Sequence, residues 1–242
     1  MSMDYDSLAA EYAQHRRIHP GVLKRLIEGG QLTFASRILD VGCGTGNYLV
    51  ALEQTVGCEG WGIEPSAEMM TKAKANAASA RIKEGRAECM DFPDGFFDLV
   101  LSVDVIHHVE DRPTHFQEAA RVLKRGGFVC TTTDSEEIIR HREPLSTHFP
   151  ETIEVELQRY PRILDLREMM TMAGFTGIRE EVVEFRSTIT DIQSYRDKAF
   201  SSLHLIDLEA FERGIQRLET DLRERGSVAW WSRYLILWGR KP

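Results

Sequence analysis

Apolar residues in this chain follow two rhythms, and the switch between them marks its elements. Short, largely apolar runs at residues 38–41, 96–104 and 128–133 predict strands buried on both faces. A second strand is predicted at 58–64, and a polar one at 81–85 suits a sheet edge. Between the strands, apolar residues recur every three or four positions, predicting helices at 47–54, 66–77, 110–123 and 164–173. Helices are also expected at 7–16 and 20–28, where Pro20 suits a first helical turn. Lys124, Arg125, Gly126 and Gly127 are expected to close the helix before them, cations and glycine being suited to that end. A strand is predicted from Gly174 to about Phe185, and a last one, rich in tryptophan and tyrosine, at 228–238. The segment 190–225 predicts two helices, carrying Phe200, Leu203, Leu205 and Ile206, then Phe211, Ile215 and Leu218. Residues 133–160 fit neither rhythm and predict a loop-rich insertion in which His141, Arg142, His148 and Tyr160 are candidate pocket residues. Strands alternating with helices imply an α/β chain with a mostly parallel sheet.

The chemistry concentrates where the first strand meets the first helix of that alternation. The stretch reads Asp40-Val41-Gly42-Cys43-Gly44-Thr45-Gly46-Asn47. Glycines there allow a tight turn and let a ligand approach a backbone that carries no Cβ. In the nicotinamide fingerprint Gly-x-Gly-x-x-Gly the third glycine stands one place later than Gly46, where this chain has Asn47. Asp40 ends the strand, and a carboxylate at that point would repel a pyrophosphate and suit a cationic ligand. Glu64 ends the next strand, 24 residues after Asp40, the distance that places an acid over ribose hydroxyls. A carboxylate can accept both of those hydroxyl hydrogens.

Asp-x-Gly-x-Gly-x-Gly at a strand end resembles the first motif of the class I S-adenosylmethionine-dependent methyltransferases. The segment Glu118 to Gly127 is similar to that family's later turn, and the likeness spans about residues 5–175. The branch it most resembles methylates small molecules such as ubiquinone and menaquinone precursors. The resemblance implies a doubly wound, seven-stranded, mostly parallel sheet with the last strand antiparallel, and helical additions acting as a lid. It implies one domain over residues 1–242, with an N-terminal helical cap at 1–30 and a helical insertion at 187–226. The cofactor would be S-adenosylmethionine, leaving as S-adenosylhomocysteine. Its contacts would come from Tyr12, Arg16, Asp40, Gly42, Cys43, Gly44, Gly46, Asn47, Glu64, Pro65, Ala87, Glu88, Ser102, Val103 and His107. Tyr12 and Arg16 share one helical face, which suits plain amphipathic packing equally well. Arg86 stands where the family often has an acid, so Glu88 or a backbone carbonyl would have to serve the adenine.

Ligands of such sheets bind beyond the carboxyl ends of the strands. His107 and His108, just past the central strand, are therefore the expected catalytic pair, with Asp104 and Tyr160 as further candidate bases. A histidine suits proton transfer near neutral pH. The acceptor is expected to be a small molecule, because no Asn-Pro-Pro-Tyr follows the central strand.

Composition narrows the partners. The net charge of −8 disfavours a nucleic-acid backbone. No run is apolar enough to span a membrane, and no signal-peptide pattern opens the chain, so a cytoplasmic monomer or homodimer is expected. Cys43, Cys58, Cys89 and Cys130 lack metal-ligand spacing; no metal is expected, and all four are read as buried, reduced thiols. Two rivals remain at this stage: a nicotinamide oxidoreductase, and a catalytically silent cofactor-binding domain of the same fold.

Overall fold

The computed structural model describes residues 18–77 and 79–242. The helix expected at 7–16 lies outside the described residues, and so do Tyr12 and Arg16. Seven strands form one sheet in the order β3-β2-β1-β4-β5-β7-β6. They are β1 (Arg37–Val41), β2 (Glu59–Glu64), β3 (Arg81–Glu84), β4 (Phe97–Val103), β5 (Leu123–Thr133), β6 (Thr176–Ile189) and β7 (Val228–Arg240). β1 pairs in parallel with β2 and β4, β2 with β3, and β4 with β5. β7 enters between β5 and β6 and runs antiparallel, as expected. The Gly126 N–H donates to Lys241 O at 2.8 Å, and the Lys241 N–H donates back to Gly127 O at 2.9 Å. Strand order reverses between β1 and β4, which is where a doubly wound sheet opens its ligand crevice.

By packing, the described residues divide into two compact units: those up to 133 with 163–181 and 236–242, and residues 134–162 with 182–235. The first unit holds β1 to β5 with α1 (Pro20–Gly29), α2 (Asn47–Val56), α3 (Ala67–Asn76), α4 (Arg112–Val122) and α8 (Ile163–Met172). Its central strands are apolar because both faces are covered, and Ile38, Leu39, Leu99 and Leu101 are fully buried. Edge-to-face contacts among Trp61, Phe92, Phe96 and Phe97 fill one end of this core. His19 starts α1: its Nδ1 accepts the Val22 N–H at 3.3 Å, ahead of Pro20 in the first turn.

The second unit has its own core of Leu145, Phe149, Ile192, Tyr195, Leu203, Leu218 and Val228. It contains α5 (Glu136–Arg140), α6 (Leu145–His148), α7 (Glu151–Arg159), α9 (Gln193–Arg196), a 3₁₀ turn at Ser201–His204 and α10 (Leu208–Arg225). Arg142, Asp134 and Glu156 form a largely buried ion cluster within it.

Four expectations are corrected. Residues 133–160 hold three short helices, because Ser135, Pro144 and Pro150 sit at helix-start positions, where they begin helices without interrupting any. The Gly126 that was expected to cap α4 lies within β5: Leu123 pairs with Phe97, and the positive φ of Gly126, 81°, shapes the strand that follows. β6 continues to Ile189, past Phe185. Cys89 is exposed, whereas Cys43, Cys58 and Cys130 are buried free thiols.

Candidate active site

Past β1 the backbone turns through three glycines with positive φ: Gly42 at 68°, Gly44 at 55° and Gly46 at 78°. A Cβ on Gly42 would strike the Val105 methyls at 2.8 Å, so a side chain is barred there twice over. A Cβ on Gly44 would meet nothing within 4 Å, which leaves the loop bare on one side. The loop is held from behind: the Gly42 and Cys43 N–H groups donate to Ile63 O at 2.8 and 3.1 Å. Glu64 binds it too, taking the Gly44 N–H on Oε2 at 2.9 Å and the Ser66 N–H on Oε1 at 3.0 Å. One carboxylate thus ties the glycine loop to the start of α3, where Ser66 caps the helix.

Asp40 and Glu64 are both buried, 3% and 8% exposed. Burial, reinforced by the charge of Glu64, pushes Asp40 up to about 8. Burial also raises the Cys43 thiol, with Asp40 and Glu64 adding to the effect, so this cysteine is not an activated nucleophile. Two buried acids beside a bare backbone favour a ligand that brings positive charge and hydroxyl donors, and disfavour a pyrophosphate.

The other expected residues distribute unevenly. Asn47 opens α2, Pro65 is exposed and Ala87 is buried. Ser102 is buried at the end of β4, its hydroxyl donating to Thr131 at 3.3 Å, and Val103 is half-buried beside it. Glu88 accepts the Glu110 N–H at 3.1 Å, so part of this carboxylate braces the approach to α4. His107 and His108 lie in a 3₁₀ turn, Ile106–His108, with ring centroids 3.9 Å apart; His107 is half-buried and His108 exposed. Asp104 precedes them with φ of 58°, a conformation uncommon outside glycine, and its N–H donates to Thr132 O at 3.0 Å. Within this unit, therefore, Asp40, the glycine loop, Glu64 and the turn after β4 gather at the carboxyl ends of β1, β2 and β4. Tyr160, His141, Arg142 and His148 belong to the second unit.

Comparison with known proteins agrees with this geometry. Residues 39–131 match the family model described as a methyltransferase domain. A demethylmenaquinone methyltransferase of Lactococcus lactis is 28% identical over 74% of this chain and 80% of its own length. A structure described as a putative methyltransferase from an antibiotic biosynthesis pathway of Anabaena variabilis superposes with a TM-score of 0.70. It is 25% identical and covers 90% of this chain and 96% of that one. The phosphoethanolamine N-methyltransferase 2 of Haemonchus contortus, solved with phosphomonomethylethanolamine and S-adenosylhomocysteine, shares the fold. Its TM-score is 0.64 at 22% identity, over 98% of this chain and 57% of that one.

Residues 39–131 carry a methyltransferase domain, and the relatives and structural neighbours support an S-adenosylmethionine-dependent methyltransferase.

The donor set of this methyltransferase fits its cofactor. The bare side of Gly44 leaves room beside the loop, and the buried acids match an ammonium, a sulfonium and ribose hydroxyls. The segment from Glu118 also carries a contact beyond its likeness to the family's turn. In Glu118-Ala119-Ala120-Arg121, the arginine donates to Met90 O, Phe92 O and Asp94 at 2.6, 2.8 and 2.8 Å, and Glu118 accepts the Met90 N–H at 2.8 Å. This pair on α4 clamps the segment after Glu88. The acid and the arginine stand three apart, one helical turn, which is the pattern that could have exposed it. His115 is structural: it is 1% exposed, its Nδ1 lies 3.4 Å from Ala87 O, and burial pushes it down to about 4.

Proposed function

We propose that this methyltransferase acts on a small-molecule acceptor and that His107 or His108 orients or deprotonates it. The observation that carries the reading is the histidine pair placed just beyond β4, at the strand ends where the loop and both acids converge. Relatives named for demethylmenaquinone and phosphoethanolamine support a small acceptor. The whole chain is read as one catalytic domain with helical additions at 1–30 and 187–226.

The cofactor, when bound, supplies a methyl group on a sulfonium, open to in-line displacement. The chain's part is placement. Asp40 and Glu64 hold the cationic and hydroxyl groups, Gly42, Cys43, Gly44, Gly46 and Asn47 border them, and Ala87, Glu88, Ser102 and Val103 close the adenosyl side. Tyr12, Arg16 and Pro65 are proposed as further contacts. Bringing an acceptor to near-contact geometry can lower the barrier by about 7–11 kcal/mol at its upper end. A histidine at the end of β4 takes the acceptor's proton where the acceptor has one to lose.

Turnover with S-adenosylmethionine and a panel of small acceptors tests this, read from about pH 6 to 8, the range that brackets histidine's usual pKa. The His107→Ala or His108→Ala protein should lose turnover and the acid limb of its profile. Wild-type turnover in both across that range would remove the histidines from the mechanism.

A further inference from the structure

β6 ends the sheet: among the described residues its one strand neighbour is β7. It is 14 residues long, against 4 in β3 at the opposite edge. Thirteen of its residues are exposed or half-buried, Val183 being the buried one. Val182 is 49% exposed and Phe185 54%. A strand paired on one side turns every second N–H and C=O outward, and a long edge of this kind is a template for another strand. Proteins shield such edges with proline, charged side chains, a bulge or extreme shortness; β6 contains neither proline nor lysine, and its charged residues are arginine and glutamate.

Its charges are of mixed sign and are placed in a way that specifies a partner. Glu184 and Arg186 stand two apart, hence on the same face, with Phe185 between them on the other. Both charged residues are tied to β7 only loosely, Glu184 to Arg233 at 3.8 Å and Arg186 stacked over Trp231 at 4.1 Å. Their side chains remain 47% and 69% exposed. On the opposite face Phe185 packs edge-on to Trp230 at 6.2 Å.

We propose that the outer edge of β6 pairs antiparallel with β6 of a second copy of this chain, about a two-fold axis through Phe185. That register sets Glu184 opposite the second copy's Arg186 and repeats the pair by symmetry. It also sets Phe185 against its own counterpart, extending the Phe185–Trp230 contact across the axis. Moving the axis to Glu184 or to Arg186 would oppose like charges on the axis itself, so the charge pattern selects the register.

Light scattering on the full-length protein over a range of concentrations tests the pairing, with circular dichroism to confirm folding. The wild type should have twice the mass of one chain. E184R opposes arginine to arginine and should give one chain's mass. The double variant E184R/R186E exchanges the partners and should restore the doubled mass. Hydrogen exchange should show protection of alternate β6 amides that falls on dilution. A monomeric wild type, a dimer that survives E184R, or a folded double variant that stays monomeric would each overturn the proposal. So would β6 protection that ignores dilution, which would mean that a segment of the same chain covers the edge.

Discussion

Asp40 carries a pH dependence whose sign follows from its burial. Its carboxyl is raised from 3.8 to about 8, so the folded protein holds this proton more tightly than the unfolded chain does. Its contribution to stability is complete below 3.8 and is lost as pH rises through about 8. Asp40→Asn should therefore flatten the stability profile across that window, measured by urea unfolding at a series of pH values. A cationic ligand beside Asp40 should expel the proton, so cofactor binding at neutral pH should release protons. Calorimetry in two buffers of different ionisation enthalpy should detect the release in the wild type and lose it in Asp40→Asn. Glu64 differs, because its oxygens already accept backbone N–H groups of Gly44 and Ser66. Glu64→Ala should weaken S-adenosylhomocysteine binding by about 1–3 kcal/mol, the cost of losing hydrogen bonds to a charged group. It should also lower the melting temperature of the ligand-free protein, since two N–H groups lose their acceptor. An unchanged dissociation constant would place Glu64 away from the ligand.

Among the elements, α4 makes the clearest prediction, through its clamp on the turn after Glu88. Arg121→Met removes the donors to the carbonyls of Met90 and Phe92, and should destabilise the protein by about 1–3 kcal/mol in urea unfolding. Hydrogen exchange should rise in residues 89–94 before anywhere else in the first unit. This scale also shows what could be read without coordinates. β1 and β4 were legible because burial on both faces demands largely apolar runs. The glycine loop was legible because positive φ restricts the residue type. The helices between Asp134 and Arg162 were not, since Pro144 and Pro150 look the same in sequence whether they break a helix or begin one. The capacity of Gly126 to adopt positive φ was visible, but not the pairing of Leu123 with Phe97 that makes it part of a strand. Nothing local announced the φ of Asp104, which depends on a bond to Thr132, a distant residue. The bracing of Glu110 by Glu88 is a long-range contact that no periodicity encodes.

For the whole molecule, the two units give separable responses. Gly214 lies in α10, and a Cβ there would come within 2.0 Å of the Phe149 ring, at the core of the second unit. Gly214→Ala should cost about 1–3 kcal/mol through overpacking. The affinity for S-adenosylhomocysteine should stay near wild type, because Asp40, Glu64 and the glycine loop belong to the other unit. Binding calorimetry beside hydrogen exchange would separate the two effects, and a parallel fall in both would show that the units unfold together. The sheet order has one more consequence, for biosynthesis. β7 is the last strand to be made, yet it lies between β5 and β6. Domains tend to fold as the ribosome delivers them, amino end first. Here β6 emerges before its described neighbour exists, and residues 236–242 join a unit whose first strand is β1. Until β7 is made, β6 has no described strand to join, so a chain stopped before Val228 would leave the edge strand without its partner in the sheet.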